Sequence, residues 1–209
     1  MIKRVFLDTA TVVREALDQA TITDHWNDDS ALAGYQVSGL AGHTARAILT
    51  PLTYLNLPAP SDKPVGPAEY FTLGLGDLDP IASPEHAAAR RRGAETAAGG
   101  PSDLAGQVVT ALIELHALFE VTPPDRLVTV FSERCMTIDD YLITRIVEMV
   151  IHLDDLACSV PDPLPAPPGE AVDITLATAV EIAAIRHGHT ALLRALTRRE
   201  RIDEYPHAF

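Results

Sequence analysis

A polar stripe runs along one face of an otherwise apolar segment near the middle of the chain. Residues 138–160 are apolar on nearly every side of a helical wheel, which is typical of a buried helix. The residues that interrupt it, at spacings of three, four and three, are Arg145, Glu148, His152 and Asp155. These spacings place all four side chains on one helical face. Because unpaired charge in a dry core is costly, the stripe needs a partner.

A divalent metal ion would satisfy this stripe. Glu148 and His152 lie one turn apart and can point at one site. His43 is the third candidate ligand, because it falls on the apolar side of another predicted helix. Two imidazoles and one carboxylate leave coordination positions open, an arrangement that suits catalytic zinc and also iron or nickel. Such a metal lowers the proton affinity of a bound water or thiol and supplies a nucleophile at neutral pH.

The two outer residues of the stripe would then support the ligands. Asp155 could accept the free ring N–H of a ligand histidine. Arg145 could balance the charge of Glu148 or bind a substrate carboxylate through both nitrogens. A Glu and a His four residues apart also occur by chance in many helices. A metal-free bundle with a salt-bridged stripe is therefore the structural alternative.

The remaining histidines are predicted to lie away from this site, apart from one candidate. His116, on the fourth predicted helix, could line it. The others are His25, His86, His187, His189 and His207. The chain also lacks the GxSxG, P-loop and GxGxxG motifs, so serine hydrolases, nucleotide triphosphatases and dinucleotide-binding enzymes have no support.

Composition excludes several classes of partner. The chain has 209 residues, 47% of them hydrophobic, and a net charge of -13, which argues against nucleic acid and against anionic membrane surfaces. No stretch approaches the roughly 20 apolar residues of a membrane span, so no membrane partner is expected. Two isolated cysteines, Cys135 and Cys158, form no CxxC motif, and the first ten residues do not resemble a signal peptide. These features predict a cytoplasmic protein.

Helical periodicity predicts the elements that position the candidate ligands. A first helix is predicted over residues 11–27, capped by Asp8, Thr9 or Thr11, and a loop over residues 28–36. The second helix, residues 37–55, carries His43 and is expected to kink or end at Pro51. A long connection follows over residues 56–80, with a helical turn at 68–73, and is a candidate lid.

The second half of the chain supplies further helices. The predicted elements are a polar helix over 84–98, a helix capped by Ser102 and running to Phe119, an isolated strand over 127–131, the central helix capped by Thr137, and a last helix over 171–197. Together they predict an all-α fold: a four-helix bundle with additional helices and one short strand. Residues 1–160 would form the bundle core, and residues 161–209 a Pro-rich crossing and a C-terminal helix packed on the same domain.

Two sequence motifs resemble those of a known family. The first reads W-x3-S-x-L-x-G-Y-x-V-x-x-L-x-x-H and is formed by Trp26, Ser30, Leu32, Gly34, Tyr35, Val37, Leu40 and His43. The second reads D-Y-L-x-x-R-x-x-E-x-x-x-H-x-x-D-L and is formed by Asp140, Tyr141, Leu142, Arg145, Glu148, His152, Asp155 and Leu156. Both resemble the mycothiol-dependent maleylpyruvate isomerase N-terminal domain, within the DinB-like superfamily.

The resemblance implies a fold, a metal and a thiol cosubstrate. It implies a DinB-like four-helix bundle whose divalent metal, usually zinc, is held by residues at the positions of His43, Glu148 and His152. Mycothiol is the implied cosubstrate, and an actinobacterial source agrees with 14 arginines against 2 lysines. Neither motif places the substrate-binding arginine of the isomerase in this chain. The candidates for that residue are Arg46 and the arginine run at 90–92. The α/β C-terminal domain of the isomerase has no counterpart after the last predicted helix.

The sequence therefore predicts a metal-binding, mycothiol-dependent transferase or isomerase that acts on a small electrophile. Arg46 is the candidate for cofactor binding, and Arg145 and Asp155 support the reacting groups. The alternative is a bundle that holds metal and binds or senses a small molecule without turnover. A homodimer stays open, because bundles of this kind commonly pair through exposed helix faces.

Overall fold

Helices dominate the computed structural model, which describes residues 1–60, 63–74, 79, 81–130, 134–198, 200 and 206–209. The helices of the described residues are α1 (Ile2–Leu17), α2 (Ala20–Asp24), α3 (Val37–Leu55), α4 (Pro67–Gly74), α5 (Pro84–Thr96), α6 (Pro101–Val121), α7 (Ile138–Ser159), α8 (Gly169–His187) and α9 (His189–Thr197). Two short strands, β1 (Leu127–Val130) and β2 (Arg134–Thr137), precede α7.

Four of these helices enclose the main core. Both α1 and α3 pack against α6 and α7, so the four form a closed ring around a shared interior. The fully buried side chains there include Phe6, Leu40, Leu115 and Met149, one from each helix. The predicted four-helix bundle with additional helices is confirmed.

The first helix begins earlier than its prediction. Val5, Phe6 and Ala10 are buried and extend the apolar stripe back towards the N-terminus, so α1 begins at Ile2. It ends at Leu17, and α2 follows as a separate short helix. The predicted span of 11–27 with a cap at Asp8, Thr9 or Thr11 is therefore wrong. Thr9, for example, donates its hydroxyl to the carbonyl of Val5 inside the helix.

The helix that carries His43 has the predicted bounds. α3 runs over Val37–Leu55, and Pro51 lies inside it without ending it. Pro51 is buried, and the hydroxyl of Tyr141 on α7 donates to the hydroxyl oxygen of the neighbouring Thr50 at 2.7 Å. A contact from α7 thus stabilises α3 next to Pro51, which has no backbone N–H to donate.

A tight helix crossing joins α3 to α5. A Cβ atom built on Gly42 would overlap the backbone oxygen of Gly93, and one built on Gly93 would lie 2.5 Å from the backbone oxygen of Gly39. Only glycine permits this approach of two backbones. The hydroxyl of Ser83 caps α5 by accepting from the backbone N–H of His86. The polar helix predicted over 84–98 therefore lies against the first turns of α3.

Helix α6 packs one face on the bundle and exposes the other. Leu104, Val108 and Leu115 are buried, whereas Ile113 is 68% exposed. Gly100, not the predicted Ser102, is the N-cap residue. Among the described helices α6 alone is long and apolar enough to cross a membrane, with a mean hydropathy of 1.4. The prediction that no segment has this length and composition is wrong for α6.

The predicted isolated strand is half of a hairpin. β1 pairs with β2 in antiparallel register, with Leu127 opposite Thr137. The sequence of β2, RCMT, carries no β-branched alternation that would have indicated a strand. Phe131, the predicted end of the strand, lies outside the described residues. The hairpin leads directly into α7, where the hydroxyl of Thr137 accepts from the backbone N–H of Asp140 as predicted.

The long connection and the C-terminal segment pack on α7. The predicted helical turn at 68–73 is α4, whereas residues 61, 62, 75–78 and 80 of the proposed lid lie outside the described residues. α8 packs against α7 and α4. The last helix, predicted as continuous over 171–197, breaks at Gly188, whose φ of 85° favours glycine. The division of the chain at residue 160 stays a prediction.

Candidate metal centre

Three side chains from α3 and α7 meet at one point. The ligand atoms of His43, Glu148 and His152 all lie within 4.8 Å of one another. Glu148 Oε2 is 3.2 Å from His152 Nε2 and 3.6 Å from His43 Nε2. The two imidazole rings meet edge to face, with their centroids 4.7 Å apart. The structure therefore brings together the three residues that the sequence predicts as ligands.

His152 is oriented by a carboxylate on its own helix. Asp155 Oδ2 lies 2.9 Å from His152 Nδ1, so this nitrogen donates and Nε2 faces Glu148. Burial alone would lower the pKa of His152, but the hydrogen bonds with Asp155 and Glu148 outweigh burial and raise it to about 9. The sequence predicts that Asp155 accepts the free ring N–H of a ligand histidine, and this contact with His152 Nδ1 has that form.

Glu148 is held in its charged form. Its side chain is only 19% exposed, and burial by itself would raise its pKa. Hydrogen bonds from His152 and His43, together with the charge of Arg145, outweigh burial and hold this pKa well below its usual range. Arg145 Nη2 lies 3.9 Å from Glu148 Oε1, as the predicted charge balance requires. A carboxylate that is ionised and faces two imidazoles is a suitable metal ligand.

His43 is held by packing. The centre of its ring lies 5.7 Å from the centre of the Tyr35 ring. A Cβ atom built on Gly93 would lie only 3.1 Å from the Cβ of His43, so α5 packs closely against this residue. Burial lowers the pKa of His43, which therefore stays neutral at pH 7. Its Nδ1 atom has no hydrogen-bond partner among the described residues. A neutral imidazole with Nε2 directed at Glu148 can coordinate a metal there once that nitrogen gives up its proton.

The donor set fits a small divalent cation. An ion bound tetrahedrally at about 2.1 Å from each ligand atom separates those atoms by about 3.4 Å. The observed separations of 3.2 and 3.6 Å between Glu148 and the two imidazoles agree with that spacing. Two nitrogens and one carboxylate oxygen suit zinc, nickel or iron. The arrangement could therefore hold such an ion and leave coordination positions open.

Arg145 lies between the ligands and a cluster of tyrosines. Its Nε donates to the Thr144 hydroxyl at 3.1 Å, and its guanidinium carbon lies 4.9 Å from the centre of the Tyr141 ring. Tyr70 approaches Nη2 from α4. Burial raises the pKa of Tyr70 and of Tyr141, so both phenols stay protonated at neutral pH. This side of the site therefore combines one cation with neutral hydroxyl groups.

A cavity of about 280 Å³ opens beside the candidate ligands. His43, Glu148, Arg145 and the predicted Arg46 all line it. Its other polar lining residues are Thr50, Tyr54, Tyr70, Glu85, His86, Arg92 and Tyr141, of which Arg92, in the run at 90–92, is a substrate-binding candidate of the sequence. Tyr141 belongs to the second motif, which could have indicated it. Nothing in the sequence pattern connects Tyr70 to α7.

The other histidines have different surroundings, except His86, which lines the cavity although the sequence predicted it to lie away from the site. His116 is exposed on α6 and does not line the cavity, so its candidate role is not supported. His25 hydrogen-bonds with Asp28, and His187 with the carbonyl of His207. In the described part of the chain, no second group of three potential ligands comes together.

A closed ring of four helices with additional helices is the arrangement expected of the DinB-like class of helical bundles. The family model for the mycothiol maleylpyruvate isomerase N-terminal domain matches residues 6–157, and the chain belongs to this family. The match spans all four bundle helices and the three candidate ligands, so the predicted DinB-like fold and family are confirmed. No curated protein and no solved structure matches the chain. The family associates the domain with mycothiol and with enzymes.

Proposed function

We propose that the protein is a metal- and mycothiol-dependent transferase or isomerase for a small electrophile. The observation that carries this proposal is the convergence of three ligand atoms within 4.8 Å at the wall of a cavity of about 280 Å³. His43, Glu148 and His152 would hold a divalent ion, zinc first and nickel or iron as alternatives. Such an ion, when bound, lowers the pKa of a coordinated thiol so that the thiolate is present at neutral pH.

The chain's own residues would orient both reactants. Asp155 fixes the ring of His152, and the hydrogen bonds from His152 and His43, with the charge of Arg145, keep Glu148 ionised. The cavity would bind the electrophile next to the thiol, and the rings of Tyr54, Tyr70 and Tyr141 would exclude water from it. The sulfur of the thiol would bond to the electrophile's carbon as the π bond at that carbon opens, and a proton from the thiol or from solvent would be taken up by the atom that receives the electron pair. For an isomerase, the same carbon–sulfur bond would then break and release the thiol.

The proposed setting is the cytoplasm. Cys135 and Cys158 form no disulfide with each other, which agrees with a reducing compartment. A low-molecular-weight thiol cosubstrate requires the same condition. The predicted absence of nucleic-acid partners rests on the net charge of -13.

Metal content per chain tests the proposal first. Untagged protein incubated with zinc and desalted should hold about one ion per chain by elemental mass spectrometry, as a single three-ligand site implies. His43→Ala and Glu148→Ala should each lose it, whereas His116→Ala, which removes an exposed histidine of α6, should retain it. Zinc retained in both ligand variants would contradict the assignment.

Activity is the second test. Metal-loaded protein supplied with mycothiol and a panel of small electrophiles should yield a thiol adduct or an isomerised product, and the His43→Ala variant should yield neither. Stoichiometric binding of metal and ligand without any product would favour the alternative, a bundle that binds or senses a small molecule.

A further inference from the structure

One wall of the cavity comes from a helix outside the four-helix ring. Tyr70 and Phe71 of α4 line the cavity, and α4 packs on α8 and α7. Phe71 is only 3% exposed and belongs to a small buried cluster with Ala68, Val147 and Ile182. This cluster is distinct from the main core of the bundle. The position of this wall therefore depends on how firmly α4 is held against α8.

The segment 206–209, here called the latch segment, covers this small cluster from outside. The ring of Phe209 meets the ring of Phe71 edge to face, with the two ring centres 5.2 Å apart. Ala208 packs against the Phe71 cluster and also against a second small cluster, which forms where α8 meets α9. The latch segment thus contacts both the wall of the cavity and the helix that supports this wall.

A polar contact fixes the latch segment to the end of α8. His187 Nε2 donates to the backbone carbonyl of His207 at 2.9 Å, and the two imidazole rings meet edge to face with their centres 5.2 Å apart. Phe209 is 48% exposed, so its contact with Phe71 lies at the surface and can break without opening the main core. The latch segment is therefore anchored at one end and can be released at the other.

Movement of α4 would reach the candidate ligands. Tyr70 precedes Phe71 on α4, and the centre of its ring is 5.8 Å from the guanidinium carbon of Arg145. Arg145 Nη2 in turn lies 3.9 Å from Glu148 Oε1. When α4 moves away, Arg145 loses one of the aromatic rings beside it, and the cavity gains an opening on this side. Contacts thus run from Phe209 through α4 to a candidate metal ligand.

We propose that the latch segment holds α4 closed over the cavity and that its release opens this wall to admit reactants. The closed cavity has a volume of about 280 Å³, whereas a pocket for one drug-sized ligand has roughly 300–1,000 Å³. A thiol and an electrophile together need more room than the closed state offers. The admission of these two reactants rests on the proposed function. The latch contact itself does not, because it involves neither the metal nor the thiol.

Hydrogen–deuterium exchange of α4 tests the latch. Phe209→Ala removes the ring that contacts Phe71, so the backbone amides of α4 should exchange about tenfold faster than in the wild type. The amides of α1 and α6, which lie in the four-helix ring, should exchange as before. Leu196→Ala is the matched control, because it removes a large apolar side chain of α9 that is 67% exposed, and it should leave α4 unchanged. Unchanged exchange of α4 in Phe209→Ala, or an equal acceleration in α1 and α6, would overturn the proposal.

Replacing the partner ring identifies the contact through which Phe209 acts. Phe71→Leu removes that ring and should itself speed the exchange of α4. Because the two side chains contact each other, adding Phe209→Ala to this variant should have little further effect. Fully additive effects of the two substitutions would mean that Phe209 does not act through Phe71, which contradicts the proposal.

Chemical modification of Tyr70 tests the opening of the cavity. Tyr70 lines the closed cavity, whereas Tyr35, beside His43, does not. Nitration by tetranitromethane, followed by mass spectrometry, should be about tenfold faster at Tyr70 in Phe209→Ala than in the wild type, and unchanged at Tyr35. Equal rates at Tyr70 would mean that the wall does not open, and would overturn the proposal. Both measurements use protein treated with a chelator, so the latch can fail while the metal-dependent function stands, and the reverse.

Discussion

Nε2 of His152 lies 3.2 Å from Oε2 of Glu148, one turn earlier on α7. Two residues of a single helix thus present an imidazole nitrogen and a carboxylate oxygen at the separation that a shared cation requires. His43 joins them from α3, which crosses the bundle beside α7. The candidate centre therefore depends on the packing of two helices, each of which is well specified by local sequence.

Replacing Asp155 with Asn should weaken metal binding without abolishing it. Asp155 accepts from His152 Nδ1 at 2.9 Å and fixes the ring with Nε2 facing Glu148. Loss of such a partner typically costs about 10–100-fold in metal affinity. Competition with a zinc-binding dye measures the change. Asp154→Asn makes the same charge change at the exposed neighbouring position and should leave the affinity unaltered.

Metal affinity should rise with pH from about neutrality to about pH 9. Hydrogen bonds with Asp155 and Glu148 raise the pKa of His152 to about 9, so a metal must displace a proton from this ring below that pH. His43 is already neutral, because burial lowers its pKa. One displaced proton predicts an increase of about tenfold in affinity per pH unit. Zinc titrations at pH 7, 8 and 9 measure this slope, and a flat profile would contradict a protonated His152 in the metal-free protein.

The same group predicts how the stability of the metal-free protein depends on pH. The folded-state pKa of His152 lies above its unfolded value of about 6.5, so its stabilising contribution is fully present below pH 6.5 and is lost as the pH rises through 9. The melting temperature of chelated protein should fall across this window. Asp155→Asn removes one cause of the raised pKa and should move the fall to lower pH. Differential scanning fluorimetry at matched ionic strength resolves the two curves.

Local signals were sufficient for the helices that carry the candidate ligands. The apolar stripe of α3 gave its bounds of Val37–Leu55, and Thr137 was recognised as the cap of α7 from its position before the apolar run. His43 and Glu148 both lie on core-facing sides of their helices, and this predicts that they are close together, because a buried polar group without a partner is costly. The family match over residues 6–157 agrees with both motifs.

The features that were missed depend on contacts between distant segments. The crossing of α3 and α5 depends on Gly93, and no periodicity along α5 indicates it, although it brings Arg92 of the candidate run at 90–92 to the cavity. Tyr70 lies in a connection whose docking on α7 has no local signature. The strand β2 exists because it pairs with β1, although its own residues do not favour a strand. The residues on both sides of Gly188 favour helix, so the local sequence does not predict the break there.

Removing the cap of α7 should destabilise the protein by about 1 kcal/mol. The hydroxyl of Thr137 accepts from the backbone N–H of Asp140 at 3.1 Å, and Thr137→Ala leaves that donor without its partner. Thr53→Ala is the control, because Thr53 is exposed and its hydroxyl donates to the Leu49 carbonyl within the same helix. It should change the free energy of unfolding by less than about 0.5 kcal/mol. Urea denaturation followed by circular dichroism compares the two, and equal effects would argue against the cap.

Adding a methyl group at Gly42 should both destabilise the fold and weaken the metal centre. A Cβ there would overlap the backbone oxygen of Gly93, so α5 must move away from α3 at the residue next to His43. Overpacking of this kind costs about 1–3 kcal/mol. Gly106→Ala is the matched control, since Gly106 lies inside α6 with nothing within 4 Å of an added Cβ.

The control should stabilise the protein by about 0.5–1 kcal/mol, because alanine is the better helix former and no neighbour is displaced. Urea denaturation gives the free energy of unfolding, and zinc competition gives the affinity of the same two variants. Displacement of α5 acts on His43 through the shared crossing, so Gly42→Ala should lose zinc affinity, whereas Gly106→Ala should bind zinc like the wild type. A Gly42→Ala protein as stable as the wild type would show that α3 and α5 do not meet at these glycines.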